Sequence, residues 1–167
     1  TGTDGVTGPT GHTGPSVIGN NAIFIPATGN VSTSGLTNVP FTEHLNNGIG
    51  ITLQSAPNNT NINLQPNSLY YVACSLRVTY APGTADMDVA ELEIKINNNG
   101  KLSDVRVYAA PGSPISPNAL TLNASGFIQT SAGTQTLTVG AFIKSSTSFT
   151  QMAWNTGMSE LSIMQIM

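Results

Sequence analysis

Apolar and polar residues alternate along several segments of the chain, as in strands that have one buried face. Between positions 70 and 80 the even positions are apolar, whereas Ser75, Arg77 and Thr79 occupy the other side. The apolar row consists of Tyr70, Val72, Cys74, Leu76, Val78 and Tyr80. Positions 89–96 alternate in the same way. Both segments predict half-buried strands, because helical spacing fits neither of them.

Turn signals separate these segments. Positions 97–100 read Asn-Asn-Asn-Gly, and Asn-Gly is a strong hairpin signal, so positions 102–108 are the expected return strand. Further strands are predicted at 49–53 and 137–143, with weaker candidates at 22–25, 120–123 and 149–154. Eight to ten short strands without a convincing helix predict an all-β sandwich or jelly roll; a closed barrel is the competing architecture.

The last stretch, 160–167, differs because its apolar residues fall on both faces. A strand that is apolar on both sides is buried on both sides. One face can pack within the sandwich, and the other then needs a second sheet or a neighbouring subunit. The candidates for a trimer core are Leu161, Ile163, Met164 and Ile166. The alternative is an ordinary core strand.

A glycine repeat occupies the first sixteen residues. Five glycines stand at every third position: Gly2, Gly5, Gly8, Gly11 and Gly14. Three polyproline-like chains can share one axis only where a residue without Cβ meets it, so this period predicts a collagen triple helix and therefore a homotrimer. A flexible linker with an accidental period is the alternative. The predicted organisation is a stalk at 1–16, a junction at 17–21 and a head at 22–167.

The composition fits a secreted or surface-displayed protein, or one that hides much of its surface in an assembly. Only 8% of the residues are charged, against about 25% in typical soluble domains. The five Lys and Arg residues are scattered and the net charge is −3, so we do not expect nucleic-acid binding. No segment of the sequence approaches 18 consecutive apolar residues, so we do not expect membrane insertion. The single cysteine, Cys74, lies on an apolar row and is expected to be buried. Because the chain starts at Thr1 within the repeat, we expect a longer natural protein with an anchoring partner on its N-terminal side.

No set of residues suits catalysis, so we expect neither an enzyme nor a cofactor. A Ser-His-Asp arrangement would have to use His44, and the Gly-x-Ser-x-Gly motif is absent from the sequence. Calcium is the one metal considered, with Asp86, Asp88 and Glu91 as weak ligand candidates; such carboxylates usually belong to a solvated loop. Tyr71 is expected to pack in the core rather than to stack on a sugar.

The glycine stalk, positions 64–72 (LQPNSLYYV), 136–139 (TLTV) and the closing 161–166 (LSIMQI) together resemble the C1q and tumour-necrosis-factor (TNF) superfamily. The resemblance implies a homotrimeric, C1q/TNF-like jelly-roll head that follows a short collagen-like triple-helical stalk. It also implies that the apolar C-terminal strand lies near the trimer axis.

Threonine rather than proline fills the third place of the three triplets at 5–13, and this is similar to the collagen-like glycoproteins of Bacillus and Clostridium spore surfaces. That resemblance implies O-linked sugars on Thr7, Thr10 and Thr13 and a location on the exosporium or an appendage tip. It implies a structural, filament-tip protein that nucleates the triple helix, with adhesion to host or surface glycans as an added role. The alternative function is a carbohydrate- or receptor-binding head of a bacterial or phage fibre.

Overall fold

Strand pairing organises the protein into two antiparallel sheets of six strands each. The computed structural model describes residues 19–166, except 30, 32–33, 58, 81–86, 108–118 and 146–151. The triple-helix glycines, the three candidate O-glycosylation threonines and Asp86 therefore lie outside the described residues.

The first sheet has the order β3-β1-β12-β6-β9, and β11 pairs with the far end of β6 on the same edge as β12. Its strands are β1 (Asn21–Pro26), β3 (Phe41–Asn47), β6 (Leu69–Tyr80), β9 (Ala119–Gln129), β11 (Met152–Trp154) and β12 (Glu160–Gln165). A 3-10 turn, Thr156–Met158, connects β11 to β12.

The second sheet has the order β4-β5-β10-β7-β8, and β2 pairs with the middle of β10. Its strands are β2 (Thr37–Asn38), β4 (Ile51–Leu53), β5 (Ile62–Leu64), β7 (Met87–Ile96), β8 (Asn99–Val107) and β10 (Gln135–Ser145). Every pairing in both sheets is antiparallel.

The two sheets enclose one hydrophobic core between their inward faces. The largest fully buried side chains come from both sheets: Phe24, Phe41, Tyr70, Leu76 and Leu122 from the first, and Ile51, Ile62, Leu64, Leu92, Ile94, Leu137 and Ile143 from the second. The predicted all-β jelly-roll sandwich is thus confirmed, and the closed barrel is not formed.

The alternating segments fold as predicted, since β6, β7 and β10 cover the three clearest of them. The hairpin between β7 and β8 turns at Asn97 and Asn98, which adopt φ values of 48° and 65°. Asparagine tolerates this left-handed backbone better than most residues, and two such residues form the preferred tight hairpin turn. The return strand therefore begins at Asn99, three residues earlier than predicted.

Two sequence expectations are corrected. Ile49, placed in a strand, lies in the turn before β4 and is 87% exposed. Strand β3 was not foreseen, because it carries no alternation: Phe41 is buried, whereas the positions from 42 to 45 are exposed.

Strand β12 does have two apolar faces, but they serve different purposes. Leu161 and Ile163 are buried in the sandwich core of their own chain, so the expectation that they form a trimer core is corrected. Met164 and Ile166 are exposed on the opposite side.

Candidate functional site: an apolar sheet face

The outward side of the first sheet carries a group of apolar side chains that the sandwich does not bury. We call this group the apolar face; it consists of Ile23, Leu45, Tyr71, Phe127, Met164 and Ile166. Five of these residues are exposed, and Ile23 is half-buried. They come from five different parts of the chain, and only strand pairing brings them together.

Strand register places the largest of these side chains in one row. Met164 of β12 is opposite Tyr71 of β6, and Tyr71 is opposite Phe127 of β9. The Tyr71 and Phe127 rings are 5.4 Å apart between centroids, with their planes inclined by 59°. Tilted pairs at this distance are a favourable aromatic arrangement. The row is therefore a defined ridge rather than scattered apolar residues.

A hollow runs beside this ridge. The next row across the sheet begins with Leu45 opposite Ile23 and continues through small side chains: Ser162, Ala73 and Ser125. A depression of about 230 Å³ lies over its Leu45 end, where the lining is mainly apolar. A second depression, of about 260 Å³, lies over the small residues. A ridge next to a hollow is a shape that another protein surface can fill.

Charge is distributed very unevenly between the two sheets. The strands of the first sheet contain three residues of the Lys, Arg, Asp and Glu types: Glu43, Arg77 and Glu160. The strands of the second sheet contain eight: Asp88, Glu91, Glu93, Lys95, Lys101, Asp104, Arg106 and Lys144. Among the second-sheet residues whose exposure is described, Val105 is the one large apolar residue that is exposed. The first sheet is thus the one suited to contact with another apolar surface.

The chain enters the head next to the apolar face. The backbone carbonyl of Asn20 accepts a hydrogen bond from the Gln165 amide (2.8 Å), and Asn21 is paired with Met164. The chain therefore enters β1 at the same end of the sheet as the aromatic ridge.

Two ionisable groups inside the sandwich are inert at neutral pH. Burial raises the pKa of the Cys74 thiol, which is 3% exposed and free of a disulfide, as expected from the sequence. Burial also raises the pKa of Tyr70, although hydrogen bonds with the Gln65 amide and Ser68 act in the opposite direction. Both groups remain protonated at neutral pH, so neither is a nucleophile.

The predicted calcium ligands lie only partly within the described residues. Asp88 lies in β7, and Glu91 is half-buried on the outer side of the same strand. Within the described ranges, no group of three or more His, Cys, Asp and Glu side chains could hold a metal ion. His44 is exposed on the edge strand β3. Calcium binding at Asp86, Asp88 and Glu91 and O-glycosylation of the stalk remain predictions.

Sequence reasoning missed most of the apolar face. Tyr71 was expected in the core, yet it is 36% exposed and points away from it. Its odd residue number places it on the strand face opposite the buried even-numbered row, and this was the signal that its side chain points outward. Phe127 follows Gly126 in a polar stretch, and Leu45 belongs to the strand that was not foreseen, so neither carried a comparable pattern.

Solved structures share this architecture. Murine APRIL matches with a TM-score of 0.61 at 10% sequence identity, over 87% of this chain and 98% of APRIL. Eiger TNF from S. frugiperda matches with a TM-score of 0.59 at 10% identity, over 88% of this chain and 92% of Eiger. The chain therefore has the TNF/C1q-like jelly-roll fold. No protein-family model and no curated protein matches its sequence.

Among the described residues, the helical element is the short 3-10 turn Thr156–Met158. In the part of the chain that is described, no helix is long and apolar enough to cross a membrane.

Proposed function

We propose that this chain is the trimerising head of a collagen-like surface filament, and that the apolar face is where its copies meet. The observation that carries the proposal is the concentration of exposed apolar side chains on one sheet of a fold that is otherwise complete in one chain. Contiguous apolar patches on a soluble protein usually mark an interaction site.

Covering this face with identical copies would bury the Tyr71–Phe127 ridge and the neighbouring hollow. Each square ångström of apolar surface removed from water contributes about 25 cal/mol, so several large side chains per subunit supply a substantial driving force. Few charges would need to be desolvated, because the first sheet carries only Glu43, Arg77 and Glu160. The glycine period at 1–16 predicts that the number of copies is three, since a triple helix needs three chains.

Trimerisation of the heads would help the stalk to fold. Five triplets are too short to hold three chains together by themselves. Three heads joined through their apolar faces would bring three N-terminal segments to one end, because each chain enters at Asn20 beside Met164. Tethering raises the effective concentration of the stalk segments, so the helix forms in an intramolecular step.

The finer assignment rests on the sequence resemblance. The threonine-rich triplets support the proposal that the protein is a bacterial collagen-like glycoprotein of the spore surface. In this proposal an anchoring partner holds the N-terminal side, and the head displayed at the surface mediates adhesion. The low charge of the whole chain and its many Asn and Thr residues fit a surface-exposed tip.

The test compares the full chain with Met164→Glu. The wild-type chain should protect residues 1–16 from a broad-specificity protease and show the circular dichroism of a triple helix. The variant should fold as a β-sandwich yet lose both signals. A wild-type chain without stalk protection, or a variant that keeps it, would contradict the proposal.

A second candidate, carbohydrate binding, is favoured by a polar depression of about 370 Å³ on the second sheet. It is lined by uncharged amides and hydroxyls, from Asn61, Asn97, Asn98, Thr136 and Thr138. Such groups suit a neutral, hydroxyl-rich ligand. A glycan array with the full chain tests this candidate: a reproducible hit that Asn98→Ala abolishes supports it, and the absence of any reproducible hit rejects it.

A further inference from the structure

The side chain of Asn20 packs against the turn between β3 and β4. That turn contains Gly48, with φ of +110°, and Gly50. A Cβ atom at Gly48 would lie 2.8 Å from the Asn20 side-chain carbon Cγ, and one at Gly50 would lie 2.9 Å from the same atom. Real Cβ atoms do not approach other atoms so closely, so both glycines leave the room that the Asn20 amide occupies.

Both ends of the Asn20 amide are hydrogen-bonded. Its Oδ1 accepts a bond from the Gly50 backbone N–H (3.2 Å), and its Nδ2 donates to Oε1 of Gln165. The backbone carbonyl of Asn20 adds a bond from the Gln165 N–H at 2.8 Å. One residue thus joins the entry of the chain to the β3–β4 turn and to the end of β12.

The network continues into the loops at this end of the sandwich. Gln165 Nε2 donates to Oγ of Ser68 (3.2 Å), and the Ser68 N–H donates to Oγ1 of Thr130 (2.8 Å). Thr130 Oγ1 donates in turn to the carbonyl of Gln65 (2.7 Å). Ser68 and Thr130 are buried. Asn20 is therefore braced by a rigid part of the head rather than by a single loop.

The next residue makes a useful contrast. The side chain of Asn21 accepts one bond, from Nδ2 of Asn47 (2.8 Å), at an exposed position on the neighbouring strand. The two asparagines are adjacent and chemically identical, but only Asn20 joins the turn to the C-terminal strand.

We infer that Asn20 is a positioning residue: it fixes the direction in which the N-terminal segment leaves the head, so that three associated heads present three aligned strands to the triple helix. This inference rests on the proposed function. Without the Asn20 amide the heads still associate through the apolar face, which Asn20 does not form. The residues that lead into the repeat then leave each head in varied directions, and the helix next to the head becomes less stable.

The experiment uses the full chain as wild type, Asn20→Ala and a control, Asn63→Ala. Asn63 lies on the second sheet, and its Oδ1 accepts a hydrogen bond from Nε2 of Gln54 (3.0 Å). Sedimentation measures whether the heads are associated, and hydrogen–deuterium exchange of the peptide covering residues 1–18 reports the triple helix. We expect all three proteins to be trimers. Exchange in residues 1–18 should be roughly fivefold to thirtyfold faster in Asn20→Ala, the factor that losing one or two hydrogen bonds implies, and unchanged in Asn63→Ala.

A second variant, Gln165→Ala, removes the other side of the same contact and should reproduce the faster exchange. If Asn20→Ala fails to fold, Gln165→Ala tests the positioning role of this contact in its place. Asn20→Ala and Gln165→Ala trimers that exchange at the wild-type rate, or an Asn63→Ala variant that exchanges as fast as Asn20→Ala, would overturn this inference alone. A monomeric wild-type chain would overturn the proposed function and this inference with it.

Discussion

Tyr71 and Phe127 stand directly opposite each other on β6 and β9, on the outward side of the first sheet, with ring centroids 5.4 Å apart. Phe127 is 67% exposed, although its ring is among the largest apolar groups in the chain. The sandwich core is complete without this pair. The two rings are thus placed to contact something outside the chain, and a second copy is the partner that the glycine period favours.

The ridge should be required for association but not for folding. Phe127→Glu places a charge at an exposed position, so the protomer should keep its fold, whereas burying that charge between copies costs several kcal/mol. We expect a folded monomer at concentrations where the wild type is a trimer, as measured by light scattering after gel filtration.

Val105→Glu is the matched control, because Val105 is the exposed apolar residue on the second sheet. This variant should remain trimeric. A trimeric Phe127→Glu protein, or an equal loss of association in both variants, would show that the apolar face is not the contact surface.

The two sides of β12 should respond differently to truncation. Leu161→Ala opens a cavity in the sandwich core and should lower the free energy of unfolding by about 2–5 kcal/mol, at any protein concentration. Met164→Ala removes an outward side chain and should instead raise the concentration at which the trimer dissociates. Thermal unfolding over a dilution series separates the two effects. The same response from both variants would contradict the assignment of the faces.

Alkaline pH should destabilise the head. Burial raises the pKa of Cys74 above its ordinary value of 9.0 and that of Tyr70 above 10.0, so the folded state holds both protons more tightly than the unfolded state. The stabilisation from each proton is complete below its ordinary pKa and is lost as the pH rises toward the folded-state pKa. The melting temperature should therefore fall above pH 9–10.

Tyr70→Phe tests the tyrosine part of that pH dependence. Its hydroxyl accepts a bond from the Gln65 N–H (2.9 Å) and donates to the Gly50 carbonyl (3.4 Å), so its removal should cost about 1–3 kcal/mol at neutral pH. The variant should also lose less stability than the wild type between neutral and strongly alkaline pH. An unchanged alkaline slope would mean that Tyr70 does not titrate with unfolding.

Cys74 should be unreactive in the native protein. Its thiol is buried and its pKa is raised, and both properties disfavour the thiolate that reacts with disulfide reagents. A colorimetric thiol reagent should detect no free thiol until denaturant is added, and one thiol per chain afterwards. Rapid labelling under native conditions, or a Cys74 disulfide between chains, would contradict the structure.

Alternation along single strands was sufficient to predict the core residues of β6, β7 and β10. The even positions from 70 to 78 are all buried, because successive side chains of a strand point to opposite faces and only one face of β6 meets the core. The same logic identified two apolar sides on β12, but it could not tell which side faces the sandwich. That depends on the pairing with β1 and β6, which is a long-range property.

The apolar face could not be predicted for the same reason. Ile23, Leu45, Tyr71 and Phe127 are far apart in the chain, and no local pattern marks them as members of one surface. Only the register of five strands makes them neighbours. The contacts of the Asn20 side chain could not be predicted either, since they depend on two glycines some thirty residues away in the β3–β4 turn.

The central claim is that the apolar face holds three copies of this chain together, and the molar mass of the wild-type chain in solution tests it most directly. Sedimentation equilibrium over a dilution series should give three times the chain mass down to micromolar concentration. A single chain mass across that range would contradict the account.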